Sequence, residues 1–263
     1  MSDVQYTVDD GVAELVLDRP DARNAMNADV IDALTEHVED AAADDDVRVL
    51  VLRANGDVFC GGGDVKKLGS LLDDDVTPVE RRDYIVEGIH RPIQALVDVE
   101  KPVVCRLQGD AIGAGANLAL ACDMIVAAED AKLIEGFKNV GLAIDCGGSY
   151  LLTRNTSLCV AKELVMTGRP VDGTEAEKLG LVNYAVPADE LDEKVSELVD
   201  RLRDGPTRAL GLSKRLLHEG VNASFEQALE NEARANAILG ASEDHAEGIA
   251  AFREKRSAEF SGE

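Results

Sequence analysis

The sequence predicts an α/β fold that ends in an all-helical C-terminal region. Short apolar runs, typical of buried strands, alternate with helical patterns as far as Val186. Glycine-rich turns at residues 61–64 and 113–117 each follow one of these strands. From Asp189 onward the pattern is helical only. A sheet flanked by helices, followed by a helical extension, satisfies all three observations.

The N-terminal third begins with a hairpin. Residues 6–17 alternate between apolar and polar around Asp10-Gly11, a pair that favours a tight hairpin turn. The elements expected after it are a polar loop over 20–27, a helix from Asn27 that acidic residues 44–46 end, a strand over 47–52, a glycine turn within 59–68, a mobile loop over 71–80 and a helix that carries Ile85, Ile89, Ile93 and Leu96.

The stretch 103–123 is the centre of the pattern. It is an apolar strand ended by Gly109, followed by Gly113 and Gly115, which let the backbone approach a neighbour closely, and then by an apolar helix. Bare N–H groups at the start of such a helix attract an anion or a developing oxyanion. Tight helix–strand packing is the alternative reason for these glycines. The turn lacks the last glycine of a dinucleotide fingerprint, which disfavours NAD binding.

The rest of the chain continues the alternation and then changes to helices. The expected elements are a strand over 124–127, irregular chain over 131–141, a helix after Gly147-Gly148, helices over 157–166 and 174–179 (the second with a Thr174–Glu177 capping box), a strand over 182–186, and helices over 189–203, 206–219, 224–239 and 242–260. We therefore predict a core of residues 1–204 and a helical region of residues 205–263.

Acidity dominates the composition. The 263 residues include 51 Asp and Glu against 27 Lys and Arg, a net charge of -24. This charge disfavours nucleic acid or anionic membranes as partners. Disorder is excluded because 45% of the residues are apolar and periodic. We expect a carboxylate-coated surface suited to a salt-rich cytoplasm, so that the unfolding midpoint rises steeply with molar KCl; an indifferent midpoint contradicts this.

Cysteines, histidines and apolar segments point to a cytoplasmic protein without a metal site. The chain shows no secretory segment and no apolar run of membrane-spanning length. Its five cysteines form no CxxC pair and are expected to be reduced and mostly buried. The histidines have no metal-ligand spacing and are expected on the surface or on helix faces. They are His37, His90, His218 and His245.

Several ordered motifs span nearly the whole chain. They are DRPDARNAMN (18–27), FCGGGDVKKL (59–68), QGDAIGAGANLALACD (108–123), GL-x-x-D-x-GG (141–148), TGRPVDGTEAEKLGLVN (167–183) and FREKR (252–256). Together they resemble the enoyl-CoA hydratase/isomerase (crotonase) superfamily, and most of all its 1,2-epoxyphenylacetyl-CoA isomerase branch. The resemblance implies a crotonase-like core of repeated ββα units in a spiral, with C-terminal helices that form a homotrimer or a dimer of trimers.

The resemblance also implies the substrate and the oxyanion hole. The expected substrate is an acyl-CoA thioester of fatty-acid or phenylacetate metabolism, with no cofactor because coenzyme A is part of the substrate. Backbone N–H groups of Gly63 and Ala114 match the pair that stabilises a thioester enolate, and losing one such donor typically costs about 100- to 1000-fold in rate. A simple turn is the alternative role for Gly63.

The catalytic carboxylates are where this chain departs from the hydratases. Asn117 and Phe137 stand where hydratases carry two glutamates, so neither can act as a general base. Asp145 matches the acid of the isomerases instead. Apolar Leu142, Ala143 and Ile144 are expected to raise its pKa by desolvation. The alternative is that Asp145 caps the helix expected to begin at Cys146.

The resemblance also implies residues that bind the acyl-CoA substrate. Besides Asn117 and Phe137, the substrate-binding residues implied are Arg23, Ala25, Gly61, Asp64, Lys67, Phe252 and Lys255, the last two supplied by a neighbouring subunit. Solvated charge is the alternative for Lys67, and trimer packing for Phe252. Cys146 fits a packing residue better than a nucleophile.

Three functions remain open on the sequence. The leading one is an acyl-CoA double-bond or ring-epoxide isomerase that uses Asp145 alone. The others are an enoyl-CoA hydratase with an unusual water site, and a non-catalytic CoA-binding or RNA-binding protein. The acidity disfavours RNA, and Asp145 disfavours a loss of chemistry.

Overall fold

A computed structural model describes residues 3–64, 69 and 76–262. It begins with the predicted hairpin, in which β1 (Val4–Asp9) pairs antiparallel with β2 (Val12–Leu17). Asp10 and Gly11 both have positive φ, 44° and 77°, as the right-handed twist of a two-residue hairpin requires. The sequence prediction of this turn is confirmed.

The larger sheet holds most of the buried strands. Its remaining members are β3 (Val49–Ala54), β5 (Val103–Leu107), β7 (Met124–Ala128) and β10 (Tyr184–Val186), in the order β1-β2-β3-β5-β7-β10. Apart from the first hairpin, neighbouring strands run parallel. Parallel strands are buried on both faces, which explains their continuous apolar sequences.

A second, smaller sheet lies at the ends of these strands. It consists of β4 (Val58–Cys60), β6 (Asp110–Ile112), β8 (Lys132–Ile134) and β9 (Val171–Asp172), in the order β4-β6-β8-β9. β3 and β4, β5 and β6, and β7 and β8 each place consecutive strands in the two sheets, which is the predicted ββα repeat. The irregular chain expected over 131–141 is wrong: β8 and a 3₁₀ helix (Gly136–Val140) occupy it.

Helices connect the repeats. The first, α1 (Ala28–Ala43), is capped as predicted by Asn27, whose side chain accepts from the Val30 N–H at 2.8 Å. The next continuous helical segment consists of α2 (Pro78–Tyr84), a π-helical stretch (Ile85–Ile89) and α3 (His90–Asp98). Because helix already begins at Pro78, the loop expected over 71–80 is wrong at its end; residues 71–75 lie outside the described ranges.

Short helices pack around the smaller sheet. They are α4 (Ala114–Leu120), α5 (Gly148–Asn155), α6 (Leu158–Thr167) and α7 (Gly173–Leu179). The capping box predicted at Thr174 is wrong, because the N-cap is Asp172, whose side chain accepts from the Glu175 N–H at 2.8 Å. Every residue of α4 is buried, in agreement with its apolar sequence.

The C-terminal region is helical, as predicted. It comprises α8 (Leu191–Arg203), α9 (Thr207–Gly220), α10 (Phe225–Leu239) and α11 (Glu243–Glu254). α8 buries Val195, Leu198 and Leu202, and it packs against β3, β5 and β7. The division at residues 204 and 205 stays a prediction. No helix in the described part of the chain is long and apolar enough to cross a membrane.

Candidate active site

The two predicted oxyanion donors, the N–H groups of Gly63 and Ala114, lie in glycine turns that pack against each other. Met26 forms an isolated parallel bridge with Gly63: its N–H donates to the Gly62 carbonyl at 2.8 Å, and its carbonyl accepts from the Asp64 N–H at 3.2 Å. This pairing directs the N–H of Gly63 away from Met26. Ala114 is the first residue of α4, so its N–H has no acceptor within the helix.

Close backbone packing brings these two turns together. Gly62 has φ of 93°, and a Cβ there would lie 2.7 Å from the Ile112 carbonyl oxygen and 3.7 Å from the Ala114 nitrogen. A Cβ on Gly115 would lie 2.4 Å from the Cys60 carbonyl oxygen, so only glycine fits there. The structure therefore brings together the two motifs that carry the predicted oxyanion donors.

Phe137 forms a wall beside these donors. The residue lies in the 3₁₀ helix after β8 and is half-buried. A Cβ on Gly113, the residue that precedes α4, would lie 3.7 Å from the Cζ atom of the Phe137 ring. The position that hydratases use for a carboxylate thus holds an apolar surface, as the sequence indicates.

Asp145 is paired with a histidine that the sequence did not single out. His90 Nε2 lies 2.6 Å from Asp145 Oδ1, and the two side chains are 37% and 31% exposed. His90 directly follows the π-helical stretch Ile85–Ile89, and such stretches often reorient side chains at functional sites. His90 lies on a helix and is partly exposed, as expected, but its contact with Asp145 was not predicted. Because the partners are 55 positions apart in the sequence, no local pattern reveals the pair.

The surroundings of Asp145 differ from those expected. Leu142 is 52% exposed, so the apolar residues before Asp145 do not enclose its carboxyl group. The following helix begins at Gly148 and has Gly147 as its N-cap, without a side-chain hydrogen bond. Only the backbone carbonyl of Asp145 accepts from the Gly148 N–H, at 3.0 Å. The capping alternative is wrong, and the side chain remains available for chemistry.

Asn117 supports the loop that carries Asp145. Its side chain is fully buried, and Nδ2 donates to the backbone carbonyl of Asp145 at 2.9 Å. A Cβ on Gly148 would lie 2.4 Å from Asn117 Nδ2, which shows how closely the amide packs under the loop. The amide is thus enclosed and holds backbone in this structure, and a contact between Asn117 and the substrate stays a prediction.

Glu135 is a buried carboxyl group next to this support. It is 5% exposed, and burial raises its pKa from 4.5 to about 7, with the Asn117 side chain acting in the opposite direction. The sequence pattern does not single out Glu135, because residues 131–141 read as irregular chain. One feature of the sequence could have identified it: Glu135 is a charged residue between the apolar pair Leu133–Ile134 and Phe137.

The cysteines near the site are not activated. Burial raises the pKa of the Cys60 thiol to about 12. Burial also raises the pKa of Cys146 far above its ordinary value, an effect that the charges of Asp145 and Glu135 increase. A protonated, buried thiol is a poor nucleophile, which agrees with the packing role expected for Cys146.

Three of the predicted binding residues lie together beside the first glycine turn. The Gly61 N–H donates to the Arg23 carbonyl at 2.8 Å, and Arg19 Nη1 donates to the Ala25 carbonyl at 2.6 Å. Arg23 has φ of 55° and an exposed side chain. Arg19 is also 3.5 Å from the Asp64 carboxylate, which places Asp64 in the framework of this turn.

The other predicted binding residues are not placed at the site. Lys67 lies outside the described residues. Phe252 and Lys255 are at the end of α11, where Phe252 is 84% exposed and Lys255 has φ of 58°. No described contact joins them to Asp145 within this chain, so the binding role that the resemblance implies for them requires a neighbouring subunit.

Comparison with known proteins identifies the family of this chain. The model of the family "Enoyl-CoA hydratase/isomerase" matches residues 7–263. A trans-2-decenoyl-[acyl-carrier-protein] isomerase of Streptococcus mutans is 33% identical over 99% of this chain and 98% of its own. The 1,2-epoxyphenylacetyl-CoA isomerase of Escherichia coli is 33% identical over 97% of both chains.

A solved structure carries the same fold. The crystal structure of an enoyl-CoA hydratase from Polaromonas sp. JS666 superposes with a TM-score of 0.92 at 31% identity, covering 98% of this chain and 99% of that one. The named activities differ among these relatives, so they define the family but not the reaction. With the paired glycine turns and the ββα repeats described above, the chain belongs to the enoyl-CoA hydratase/isomerase family and has the crotonase fold.

Proposed function

We propose that this protein is an acyl-CoA isomerase that moves a carbon–carbon double bond, or rearranges a ring epoxide, with Asp145 as its only proton carrier. The observation that carries the proposal is the pair of Asp145 and His90, 2.6 Å apart. Asn117 and Phe137, at the hydratase carboxylate positions, offer no second base that reaches substrate. Two relatives at 33% identity carry isomerase names.

The chemistry of a double-bond shift fits one carboxylate. Asp145 takes a proton from the carbon next to the thioester of a 3-enoyl-CoA, and the negative charge moves to the thioester oxygen. The N–H groups of Gly63 and Ala114 stabilise this enolate. The same proton then returns to the carbon two bonds further along, so the double bond moves into conjugation and no atom is gained or lost.

His90 holds the carboxylate in place for both transfers. A carboxylate that carries a proton between two carbons must keep its position while its charge changes, and misplacement by about 1 Å can cost about 100-fold. The contact from His90 Nε2 fixes Oδ1 of Asp145, and this leaves Oδ2 to face the substrate. His90 is therefore a positioning residue in this proposal.

A hydratase is the second candidate, because the site does contain another carboxyl group. Glu135 lies against Asn117, and hydration requires a group that activates water and one that protonates carbon. Its 5% exposure separates it from the space beside Asp145, so we rank this function below isomerisation.

Product analysis tests the choice. The protein is incubated with a panel of 2-enoyl-, 3-enoyl- and epoxy-acyl-CoA thioesters, and products are read by mass spectrometry and NMR. Isomerisation leaves the mass unchanged and moves the double-bond signals, whereas hydration adds the mass of one water. Hydration without isomerisation contradicts the proposal, and binding without any turnover favours a non-catalytic CoA-binding protein.

The assembly we propose is a trimer or hexamer with coenzyme A bound next to a subunit boundary. The C-terminal helices expose Leu217, Phe225, Ile238 and Phe252, at 74%, 74%, 55% and 84%, and such apolar patches are typical of interfaces. Phe252 and Lys255 of one subunit then reach the nucleotide bound by the next. A monomeric mass in light scattering at molar salt contradicts this.

A further inference from the structure

Glu135 is a carboxyl group that the fold buries without an ion-pair partner in the described part of the chain. It ends β8 just before the 3₁₀ helix Gly136–Val140 and is 5% exposed. Within the described ranges, neither of its carboxyl oxygens has a hydrogen-bond partner. A buried ionised carboxylate in this position would be costly, because the Asn117 amide offsets the loss of water only in part and the pKa stays raised.

A third unsatisfied oxygen lies in the same place. Oδ1 of Asn117 is buried and has no partner in the described part of the chain, although Nδ2 of the same amide donates to the Asp145 carbonyl. The Asn117 side chain is close enough to Glu135 to affect its pKa. Three acceptor oxygens are thus enclosed together, and a single proton on Glu135 would give them a donor.

The neighbouring cysteine thiols are protonated and do not add a charge beside Glu135. The Cys146 thiol, which follows Asp145, senses the charges of Glu135, Asp145 and Cys60. Its raised pKa, like that of Cys60, keeps it protonated. No charged group that acts on Glu135 is identified among the described residues; the effects on it are burial and the Asn117 amide.

We propose that Glu135 is a positioning residue: a buried carboxylic acid whose O–H donates a hydrogen bond to Oδ1 of Asn117, and so orients this amide to hold the Asp145 loop through Nδ2. The proposal rests on the isomerase function above and deepens it, because it assigns a second carboxyl group to support of the first. Glu135 itself contacts no substrate.

Ionisation of Glu135 reverses this arrangement. The Glu135 carboxylate would then face Oδ1 of Asn117, which is also an acceptor. Rotation of the Asn117 amide by half a turn would relieve this repulsion, because it brings Nδ2 to Glu135. The same rotation would place Oδ1 against the Asp145 carbonyl. Oxygen and nitrogen of an asparagine amide are almost equal in size, so the turn needs little space. The Asp145 loop then loses its hydrogen bond, and the carboxylate at its tip loses its position.

The first experiment compares pH profiles of turnover. Isomerisation of trans-3-hexenoyl-CoA is followed by the ultraviolet absorbance of the conjugated product, with the wild type, Glu135→Gln and, as a control, Glu129→Gln, which removes an exposed glutamate. Because the pKa of Glu135 is about 7, wild-type kcat should fall about 10-fold between about pH 6 and about pH 8. The Glu129→Gln variant should follow the wild type.

Glutamine donates a hydrogen bond but cannot ionise. Glu135→Gln should therefore keep the wild-type kcat at about pH 6 and lose the alkaline decline, while KM stays unchanged. An identical decline in Glu135→Gln overturns the proposal, and so does a loss of kcat that is equal at every pH, since that would indicate a merely structural role.

A second experiment does not depend on the reaction. Infrared difference spectra of wild type minus Glu135→Gln, recorded without substrate, should show a protonated carboxyl band at about pH 6 that is replaced by carboxylate bands at about pH 8. Carboxylate bands alone at the lower pH, as a bridging water would produce, overturn the proposal. If the substrate panel shows no isomerisation, this measurement still determines whether Glu135 is protonated. Failure of the isomerase proposal can therefore be distinguished from failure of the proposal for Glu135.

Discussion

Asp123 and Glu135 are both largely buried carboxyl groups, but the fold surrounds them differently. Asp123 Oδ2 accepts from the Val103 N–H at 2.8 Å and from Lys214 Nζ at 2.9 Å, and this lysine also donates to the Leu96 carbonyl at 2.8 Å. Glu135 has no such donors among the described residues. Asp123 therefore accepts from a cation and an N–H group. Glu135 lies next to the Asn117 amide, which already donates to the Asp145 carbonyl.

This difference in partners distinguishes the region around Asp123, which has a structural role, from the candidate active site around Asp145. Lys214 connects α9 to β5 through Asp123 and to α3 through the Leu96 carbonyl. This ion pair therefore fastens the C-terminal helices to the larger sheet. Burial raises the pKa of Asp123, and the lysine opposes that effect. Glu135 in contrast is buried without a cation among the described residues, an arrangement that stability alone would not favour and that is typical of functional sites.

Replacement of Asp145 should produce the largest change in the site region. Asp145→Asn keeps the shape of the side chain but cannot take a proton, and general acid–base groups supply about 100- to 10,000-fold. We expect kcat for 3-enoyl-CoA to fall by at least the lower figure, while CoA binding measured by calorimetry is nearly unchanged. Asp130→Asn, at an exposed position, is the control. Full turnover in Asp145→Asn would show that the base is another group.

Replacement of Lys214 should produce the largest change in the structural region. Lys214→Met leaves Asp123 buried beside Val103 without its cation, and breaking such a pair costs about 3 kcal/mol or more. We expect this loss in the free energy of unfolding from denaturant titration, with kcat unchanged below the transition. Lys162→Met, which removes an exposed lysine, should change little. A loss of kcat without a loss of stability would contradict the comparison.

Glu135→Gln should stabilise the protein at alkaline pH. The pKa of Glu135 rises from 4.5 in the unfolded chain to about 7 in the fold, so the wild type loses stability as pH rises between these values. Glutamine avoids this loss. We therefore expect the stability difference between variant and wild type to grow by about 3 kcal/mol from about pH 4 to about pH 8.

Unfolding titrations at both pH values measure this difference. The exposed control Glu129→Gln should show no such growth, because its carboxylate stays in water in both states. A constant difference for Glu135→Gln would mean that its carboxyl group ionises in the fold as readily as in water, and the contrast with Asp123 would then disappear.

Removal of His90 should have the smallest effect of the four. His90→Ala deletes the hydrogen bond to Asp145, and a hydrogen bond to a charged group contributes about 1.5 kcal/mol, which corresponds to roughly a 10-fold loss of kcat. The exposed His245→Ala is the control. A loss as large as that of Asp145→Asn would make His90 a proton carrier rather than a positioning residue.

The sequence by itself determined the fold and the order of its parts. The hairpin at Asp10-Gly11, the helix capped by Asn27 and the all-helical region after Asp189 follow from local rules of turn geometry, capping and apolar spacing. Such rules act between residues close in the chain, so they can be read without coordinates. The resemblance of the motifs adds Gly63 and Ala114 as predicted oxyanion donors, whose turns the structure brings together.

Only the tertiary structure decided how the site is held. His90 and Asp145 are 55 residues apart, and Asn117 reaches the Asp145 loop from a helix 28 residues earlier in the chain. Whether Glu135 is exposed or enclosed depends on elements that pack around it, not on its neighbours in sequence. Contacts and burial between distant segments set hydrogen bonding and pKa values, and no local pattern encodes them.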